Sequence, residues 1–390
     1  MISSPPKKVA LVRGANLNLF EMQTYQHLKE ELSLTAFCNL GNNFDLKGFD
    51  LPIVKSWGFE SVASKTIKRF LNSFLTLILE TPQPMWGVVR SLKGYDIIHS
   101  ADIHYYYTYQ AVKAKKKYGS KLVVTQWENI PFKFGKTFFS KKRIEEVVKN
   151  IDLFLPVTSR AKEVLILMGV PEEKIRVIPP GIDSRIFTPE LKDKNLKKKF
   201  DISDNHITIL YIGNLLRSKG LFELIYAASR MKKDKELDSK NIKFLLIGAG
   251  KDKNKLEKLI SQMSLTDQFL LHPYMPYQDI PRIHNLADIF VLPSVPSEQI
   301  REQFGMVLIE SMSCAKAVVS TLCGSIPEVI GDAGLLVQPF DHLSLYLAIK
   351  NLILNQKLRQ ELGIKARERV LKYFDAEIIA RRIKEAYDSL

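Results

Sequence analysis

The segment ILYIGNLLRSKGLFELIYAA, Ile209 to Ala228, reads as an apolar strand, a glycine turn carrying Arg217 and Lys219, and a helix. The same unit recurs along the chain. In the second half the strands expected are Ile207–Ile212, Phe244–Ile247, Phe269–Leu271, Ile289–Leu292, Val318–Val319 and Leu335–Val337. In the first half they are Val9–Val12, Leu34–Phe37, Ile97–Ile98, Leu122–Val124, Leu153–Val157 and Arg176–Ile178. Helical periodicity fills the intervals, as at Ile144–Lys149 and Leu343–Leu354. Strand and helix in steady alternation imply parallel sheets covered on both faces.

The polar stretch PPGIDSRIFTPELKDKNLKKKF, Pro179 to Phe200, interrupts the pattern with proline, glycine and clustered lysine, and suits a linker. Each half begins on an apolar strand that runs into a glycine, Gly14 and then Gly213. The expected architecture is therefore α/β, two Rossmann-like domains with a ligand cleft at the carboxyl ends of their sheets. The domains are placed at residues 1–185 and 186–373.

Composition bounds the function from outside. A chain of 390 residues with 46% hydrophobic residues can fill two cores and is not disordered. No run approaches the roughly 18 apolar residues of a spanning helix. The nearest, FLNSFLTLIL at Phe70 to Leu79, is broken by Asn72, Ser73 and Thr76. VALV after Lys7 and Lys8 is too brief for a signal peptide, so neither an integral membrane protein nor an exported one is expected. Cys38, Cys314 and Cys323 form no CxxC pair and no disulfide framework, which fits a reduced, cytoplasmic location. The net charge of +15 calls for an anionic partner or serves solubility alone.

Chemistry concentrates in REQFGMVLIESMSCAKAVVS, Arg301 to Ser320. A helix starting near Gly305 places Glu310 on its second turn and Glu302 in the loop before it. Both carboxylates then face one ligand from different heights, and the free N–H groups of Gly305, Met306 and Val307 point at a phosphate. A carboxylate suits the vicinal hydroxyls of a ribose or a sugar. Alone, the two glutamates would read as an ordinary surface helix. They are joined by the two cations of the Arg217–Lys219 turn, which suit a diphosphate. FLLIGAG (244–250), LADIFVLPS (286–294) and GSIPEVI (324–330) add further strand ends of small residues, which allow close approach of a ligand. Four strand ends that converge on one crevice make a nucleotide site.

These segments resemble the retaining GT-B glycosyltransferases of the large family four. The matching stretches are VIPPGID (177–183), YIGNLLRSKG (211–220), LLIGAG (245–250), ADIFVLPS (287–294), EQFGMVLIE (302–310) and GSIPEVI (324–330), in the family's order and spacing. The resemblance covers the second half. It implies that this half holds a nucleotide-sugar donor and the first half the acceptor, with a helix over 374–390 returning to the first domain.

The resemblance also implies residue roles. Glu310 holds the ribose, Glu302 the donor-sugar hydroxyls, Lys219 the phosphate, and the amides from Phe304 to Val307 the diphosphate and sugar. Tyr274 and Met275, within HPYMP (272–276), fall where the family's backbone meets the nucleobase. Gly213 and Gly248 belong to the same donor set. The family's usual arginine after the strand glycine is here Asn214, and Arg217 stands three positions on as its substitute.

In the first half, LVRGANLNLFEMQTYQ (11–26) offers Gly14 and Asn16 to the donor diphosphate, although the family's adjacent glycine pair is absent. The second histidine that many relatives carry after the strand at Ile97 is here Ala101, which leaves His99, Asp102 or His104 to line the acceptor side. His104 reads more readily as structural. Glu128, in WENIPF, suits either an acceptor contact or a buried carboxylate that takes up loop amides. KAKKKYGSK (113–121) and KFGKTFFSKKR (133–143) interleave cations with aromatics, as does the candidate amphipathic helix Lys65 to Leu79, which reads more readily as core. Residues 1–190 hold 27 Lys and Arg against 18 Asp and Glu. A glycan or lipid-linked acceptor and peripheral contact with an anionic membrane follow as expectations.

The resulting expectation is transfer of a sugar to an acceptor hydroxyl with retention, without cofactor or metal, since no DxD-type site precedes the phosphates. Two other classes compete. A GT-B nucleotide-sugar epimerase would consume donor without an acceptor. Non-catalytic nucleic-acid binding would use the charge alone, but no recognised module is present and no nucleic-acid partner is expected.

Overall fold

The computed structural model describes residues 5–58, 80 and 83–390. The chain forms two compact units, Met1–Gly181 with Ala376–Leu390, and Ile182–Asp375. These limits differ from 185/186 and 373/374 for a local reason. Ile182 pairs in parallel with Asp375 and donates its N–H to the Phe374 carbonyl, so both crossing segments are tied into the second unit.

In the first unit, β1 (Lys8–Gly14), β2 (Ser33–Asn39), β3 (Ile53–Ser56), β4 (Ile97–Ala101), β5 (Lys121–Gln126) and β6 (Leu153–Pro156) make one parallel sheet, ordered β3-β2-β1-β4-β5-β6. Side chains alternate across it, as a pleated strand requires. Val9 and Leu11 face one core with Leu34, Ile97, Ile379, Ile383 and Tyr387. Ala10 and Val12 face the other with Ile98, Val124, Tyr107, Ile144 and Val147. The helix Ala376–Asp388 closes the first of these cores.

Two details depart from the sequence reading. β3 was not foreseen, because IVKS is a short, half-exposed edge strand with no alternation of its own. Arg176–Ile178 is not a strand. Its N–H groups reach the Phe154 and Pro156 carbonyls, but Pro179 and Pro180 carry no N–H to extend the ladder. The segment Lys65 to Leu79 lies outside the described residues.

The second unit repeats the plan. β7 (His206–Ile212), β8 (Asn241–Ile247), β9 (Phe269–His272), β10 (Ile289–Leu292), β11 (Ala317–Thr321) and β12 (Leu335–Val337) are parallel, in the order β12-β11-β10-β7-β8-β9. In both sheets the strand order reverses beside the unit's first strand, between β1 and β4 and between β7 and β10. That reversal is the topological switch point, outside which open α/β sheets bind ligands. No helix among the described residues is long and apolar enough to cross a membrane. The three cysteines are buried and free.

Candidate functional site

The loops after β7 and β8 run on as a pair beyond the sheet. Gly213 donates its N–H to the Ile247 carbonyl and Leu215 to that of Ala249. This approach leaves no room for side chains at Gly248, where an added Cβ would lie 1.9 Å from the Gly213 oxygen. The loop after β7 also presses on the loop after β10, since a Cβ on Gly220 would lie 1.7 Å from the Pro293 oxygen. Gly248 thus brings the ends of β7 and β8 together, and Gly220 those of β7 and β10 at the switch point.

That closeness sets up an ion pair. Lys219, in the loop after β7, donates to Glu302 Oε2 at 2.7 Å, from the loop after β10. Ser294 Oγ donates to the same oxygen at 2.7 Å. The Glu302 backbone is fixed as well, its carbonyl accepting the Ser325 N–H at 2.9 Å. Burial pushes the Glu302 carboxyl up, but the Lys219 ammonium and the Ser294 hydroxyl outweigh it and hold the group below the usual carboxylate value.

Four residues later the helix Met306–Ser313 begins, with Gly305 left-handed at its N-cap (φ 87°) and no side-chain cap. Its first amides are those that no intrahelical carbonyl can satisfy. Glu310, on this helix, is only 3% exposed. Its Oε1 accepts the Tyr277 hydroxyl at 2.9 Å, and its Oε2 stands 3.4 Å from His284 Nε2. Burial, offset in part by Glu310, lowers the His284 pKa. The side chain of Phe304 is buried edge-on to Phe374, so only its backbone is in question as a ligand contact.

The two cations of the β7 turn take different partners. Arg217 forms a bidentate pair with Glu223, at 2.6 and 2.5 Å, and its guanidinium lies over Phe222 and Phe340. The expectation that Arg217 replaces the arginine missing at Asn214 meets a competing partner here, because Glu223 engages its half-exposed guanidinium. Asn214 itself is held at both ends, its Oδ1 accepting from Tyr274 and its carbonyl from Tyr211, each at 2.7 Å. Met275 Sδ lies 3.7 Å from Lys199 Nζ.

In the first unit Gly14 lies against the Tyr107 ring, and Asn16 accepts from Asn43 and, through its carbonyl, from Asn18. His99 requires a correction as an acceptor contact. It is fully buried, with Nδ1 at 2.6 Å from Tyr387 Oη and Nε2 at 2.7 Å from Thr125 Oγ1. Burial, with the nearby Arg13 charge, holds its pKa well below the usual value. Glu128 takes the structural alternative, accepting the N–H groups of Asn129 and Ile130 and pairing with Lys133 at 2.6 Å. His104 stacks on Phe134 at 3.9 Å, and burial beside Lys133 and Arg143 lowers its pKa to about 3. Both side chains border a small recess walled by Ile103, Phe132 and Met168.

Asp102 is different. It has a left-handed backbone (φ 51°) at the carboxyl end of β4, and its Oδ1 accepts the Trp127 and Glu128 N–H groups at 2.8 and 3.1 Å. Burial nevertheless raises its pKa to about 7. Strained backbone and a shifted carboxyl together are features that gather at functional sites.

Sequence reasoning missed Ser294, Tyr277 and His284 in the second unit. Ser294 closes a quoted strand motif, whereas His284 sits in an apolar run that gives no sign of its carboxylate partner. It also missed Arg13, a fully buried cation beside Gly14, whose Nε donates to Glu21 at 2.7 Å and whose Nη1 donates to the His99 carbonyl. Among the described residues no cluster of three His, Cys, Asp or Glu side chains has the spacing of a metal site.

Residues 192–369 match the family model described as Glycosyl transferases group 1, and residues 49–185 match Glycosyltransferase Family 4. The alpha-maltose-1-phosphate synthase of Mycolicibacterium smegmatis is 29% identical over 231 residues, 55% of this chain and 57% of that protein. The match therefore spans little more than half of that relative's length. A D-inositol 3-phosphate glycosyltransferase of Acidothermus cellulolyticus is 25% identical over 367 residues, 90% of this chain and 76% of that one. Among solved structures, Anabaena Alr3699/HepE in complex with UDP and glucose has a TM-score of 0.77 at 17% identity, with 98% of this chain and 100% of that one covered, a likeness of fold. With one family model on each unit and glycosyltransferases among its relatives, the chain belongs to the family four, group 1 glycosyltransferases.

Proposed function

We propose that the protein transfers a sugar from a nucleoside-diphosphate sugar to an acceptor hydroxyl with retention of anomeric configuration. The observation that carries this reading is the Lys219–Glu302 pair, formed by the loops after the two strands of the switch point and followed by an uncapped helix start. The Lys219 ammonium and the amides of Met306 and Val307 meet the diphosphate and stabilise the charge that builds on it as it leaves. Glu302 accepts donor-sugar hydroxyls, and Glu310 accepts from the ribose. Gly213, Gly248 and the backbone around Tyr274 border the nucleotide. Arg217 stays with Glu223 and is left out of the donor set.

In this reading the bond from the anomeric carbon to phosphate oxygen breaks as the bond to the acceptor oxygen forms on the same face. The acceptor's proton passes to the departing phosphate oxygen. Asp102, at the carboxyl end of β4, is the acceptor-side group of the first unit. The acceptor is a glycan or a lipid-linked glycan, turnover needs no divalent metal, and the enzyme works in the cytoplasm with peripheral contact to an anionic membrane.

The test is a thermal-shift screen with uridine, guanosine and adenosine diphosphate sugars, and duplex DNA as a control. One donor class should raise the melting temperature, DNA should not, and the stabilising donor should then be consumed only when an acceptor is added. No shift with any donor overturns the reading. Donor consumption without an acceptor turns it into an epimerase.

A further inference from the structure

Segment 132–142 of the first unit is built to hold aromatic rings out in solvent. The Glu80 carboxylate accepts three successive N–H groups, from Gly135 and Lys136 at 2.6 Å and from Thr137 at 3.1 Å. Thr137 and Ser140 then form a reciprocal capping box that starts the helix Phe138–Asn150. Arg143, one turn further on, donates to the His104 carbonyl at 2.8 Å. Despite this fixed backbone, Phe132, Phe138 and Phe139 are 62%, 65% and 65% exposed. Phenylalanine is normally among the most buried residues, and a group of exposed apolar side chains marks a contact surface.

The surface around them is cationic. Between Lys113 and Arg143 the chain has ten Lys and Arg and one acidic residue, Glu128. Lys115, Lys116 and Lys133 are matched by Asp152, Glu146 and Glu128. Lys113, Lys117, Lys136, Lys141 and Lys142 are exposed and form no ion pair among the described residues. The Lys116–Glu146 contact joins the helix Tyr106–Tyr118 to the helix Phe138–Asn150, so both basic segments share one side of the unit. Lys142 Nζ lies 4.3 Å from the centre of the Phe138 ring, an ammonium and a phenyl presented together.

We infer that this face docks on an anionic lipid bilayer, with Phe138 and Phe139 entering the headgroup region and the unpaired lysines meeting lipid phosphates. The inference rests on the membrane contact proposed above and names the surface that makes it. Charge alone would equally suit a nucleic acid. The rings decide against that partner, because Phe138 and Phe139 are 79° apart and share no plane on which successive bases could stack. A bilayer interface takes both parts, since apolar tips enter the acyl boundary while cations remain at its charged surface.

The experiment is co-sedimentation of the whole protein with phosphatidylcholine vesicles, with and without phosphatidylglycerol, at low salt and at about 1 M, where the Debye length shrinks to about 3 Å. Two variants are compared, Phe138→Ser with Phe139→Ser, and Lys136→Ala with Lys141→Ala and Lys142→Ala. The wild type should bind the anionic vesicles, lose them at high salt, and weaken at least about tenfold in each variant. All these side chains are exposed, so melting temperatures should not change. Failure to bind, equal binding to neutral vesicles, or a phenylalanine variant that binds like the wild type overturns the inference. Equally tight binding of a DNA duplex that resists the phenylalanine changes overturns it in favour of a polyanion site. No donor or acceptor is present, and the donor-induced thermal shift of both variants reports separately on donor binding.

Discussion

Lys219 and Glu302 lie 83 positions apart in sequence and 2.7 Å apart in space, and a single carboxylate oxygen takes both this ammonium and the Ser294 hydroxyl. The pair is a cation held in place before any substrate arrives. Lys219→Ala should lower kcat/KM by about 10² or more, the usual effect of removing one donor aimed at developing charge. Glu302→Ala should abolish transfer, and the double variant should be no worse than the worse single, because the two act as a unit. Full activity in either single variant contradicts the assignment.

Glu310→Ala should act on binding. Donor affinity, followed by calorimetry, should fall at least about tenfold while the turnover of bound donor changes less. The same change leaves the buried His284 and the half-buried Tyr277 without the Glu310 carboxylate, at about 1–3 kcal/mol of stability. Glu310→Gln keeps an acceptor for Tyr277 and should be the milder variant in a urea melt.

Arg217 and Lys219 separate by the same assays. Arg217→Ala removes the partner of Glu223, whose side chain is 8% exposed, and should show chiefly as reduced stability with less than about a tenfold change in kcat/KM. A loss of activity as large as that of Lys219→Ala would restore Arg217 to the diphosphate.

Asp102 gives the first unit a pH dependence. Its proton is held with a pKa of about 7 in the folded chain, against an ordinary value of 3.8, chiefly because the carboxyl is buried. Between those values the folded state binds more protons than the unfolded one. Stability should therefore fall as pH rises through that window, by at most about 1.4 kcal/mol per pH unit, and level off above it. Asp102→Asn removes the ionisation and keeps an oxygen for the Trp127 and Glu128 amides, so its urea midpoint should change less between about pH 5 and pH 7.5 than that of the wild type.

Gly248→Ala should be more damaging than any of these to stability. Its methyl group would meet the Gly213 carbonyl oxygen at 1.9 Å, and the two strand ends would have to separate. A loss of about 3 kcal/mol or more is expected from chemical denaturation.

The architecture was legible because strands buried on both faces announce themselves as apolar runs ending in glycine, as at Ile212–Gly213 and Ile247–Gly248. Edge elements escaped that signal. IVKS has two half-exposed residues and one exposed residue, and Arg176–Ile178 looks like a strand until its prolines are weighed. In the site, residues near a strand end were legible as positions but not as partnerships. Nothing in RSKGLFE says that Arg217 turns to Glu223 while Lys219 reaches Glu302. His99 looked accessible because its neighbour Tyr387 comes from 288 residues away.

That last contact bears on how the protein is made. Ile379, Ile383 and Tyr387 complete a core that begins at Val9, so the first unit lacks part of its interior until the segment after Asp375 has been synthesised. All of the second unit, Ile182–Asp375, is translated in between. At about 5–20 residues per second, the usual rate of synthesis, that interval is on the order of 10–40 s. The first half therefore emerges from the ribosome first and finishes folding last, and over that interval one face of its sheet waits uncovered for a helix not yet translated.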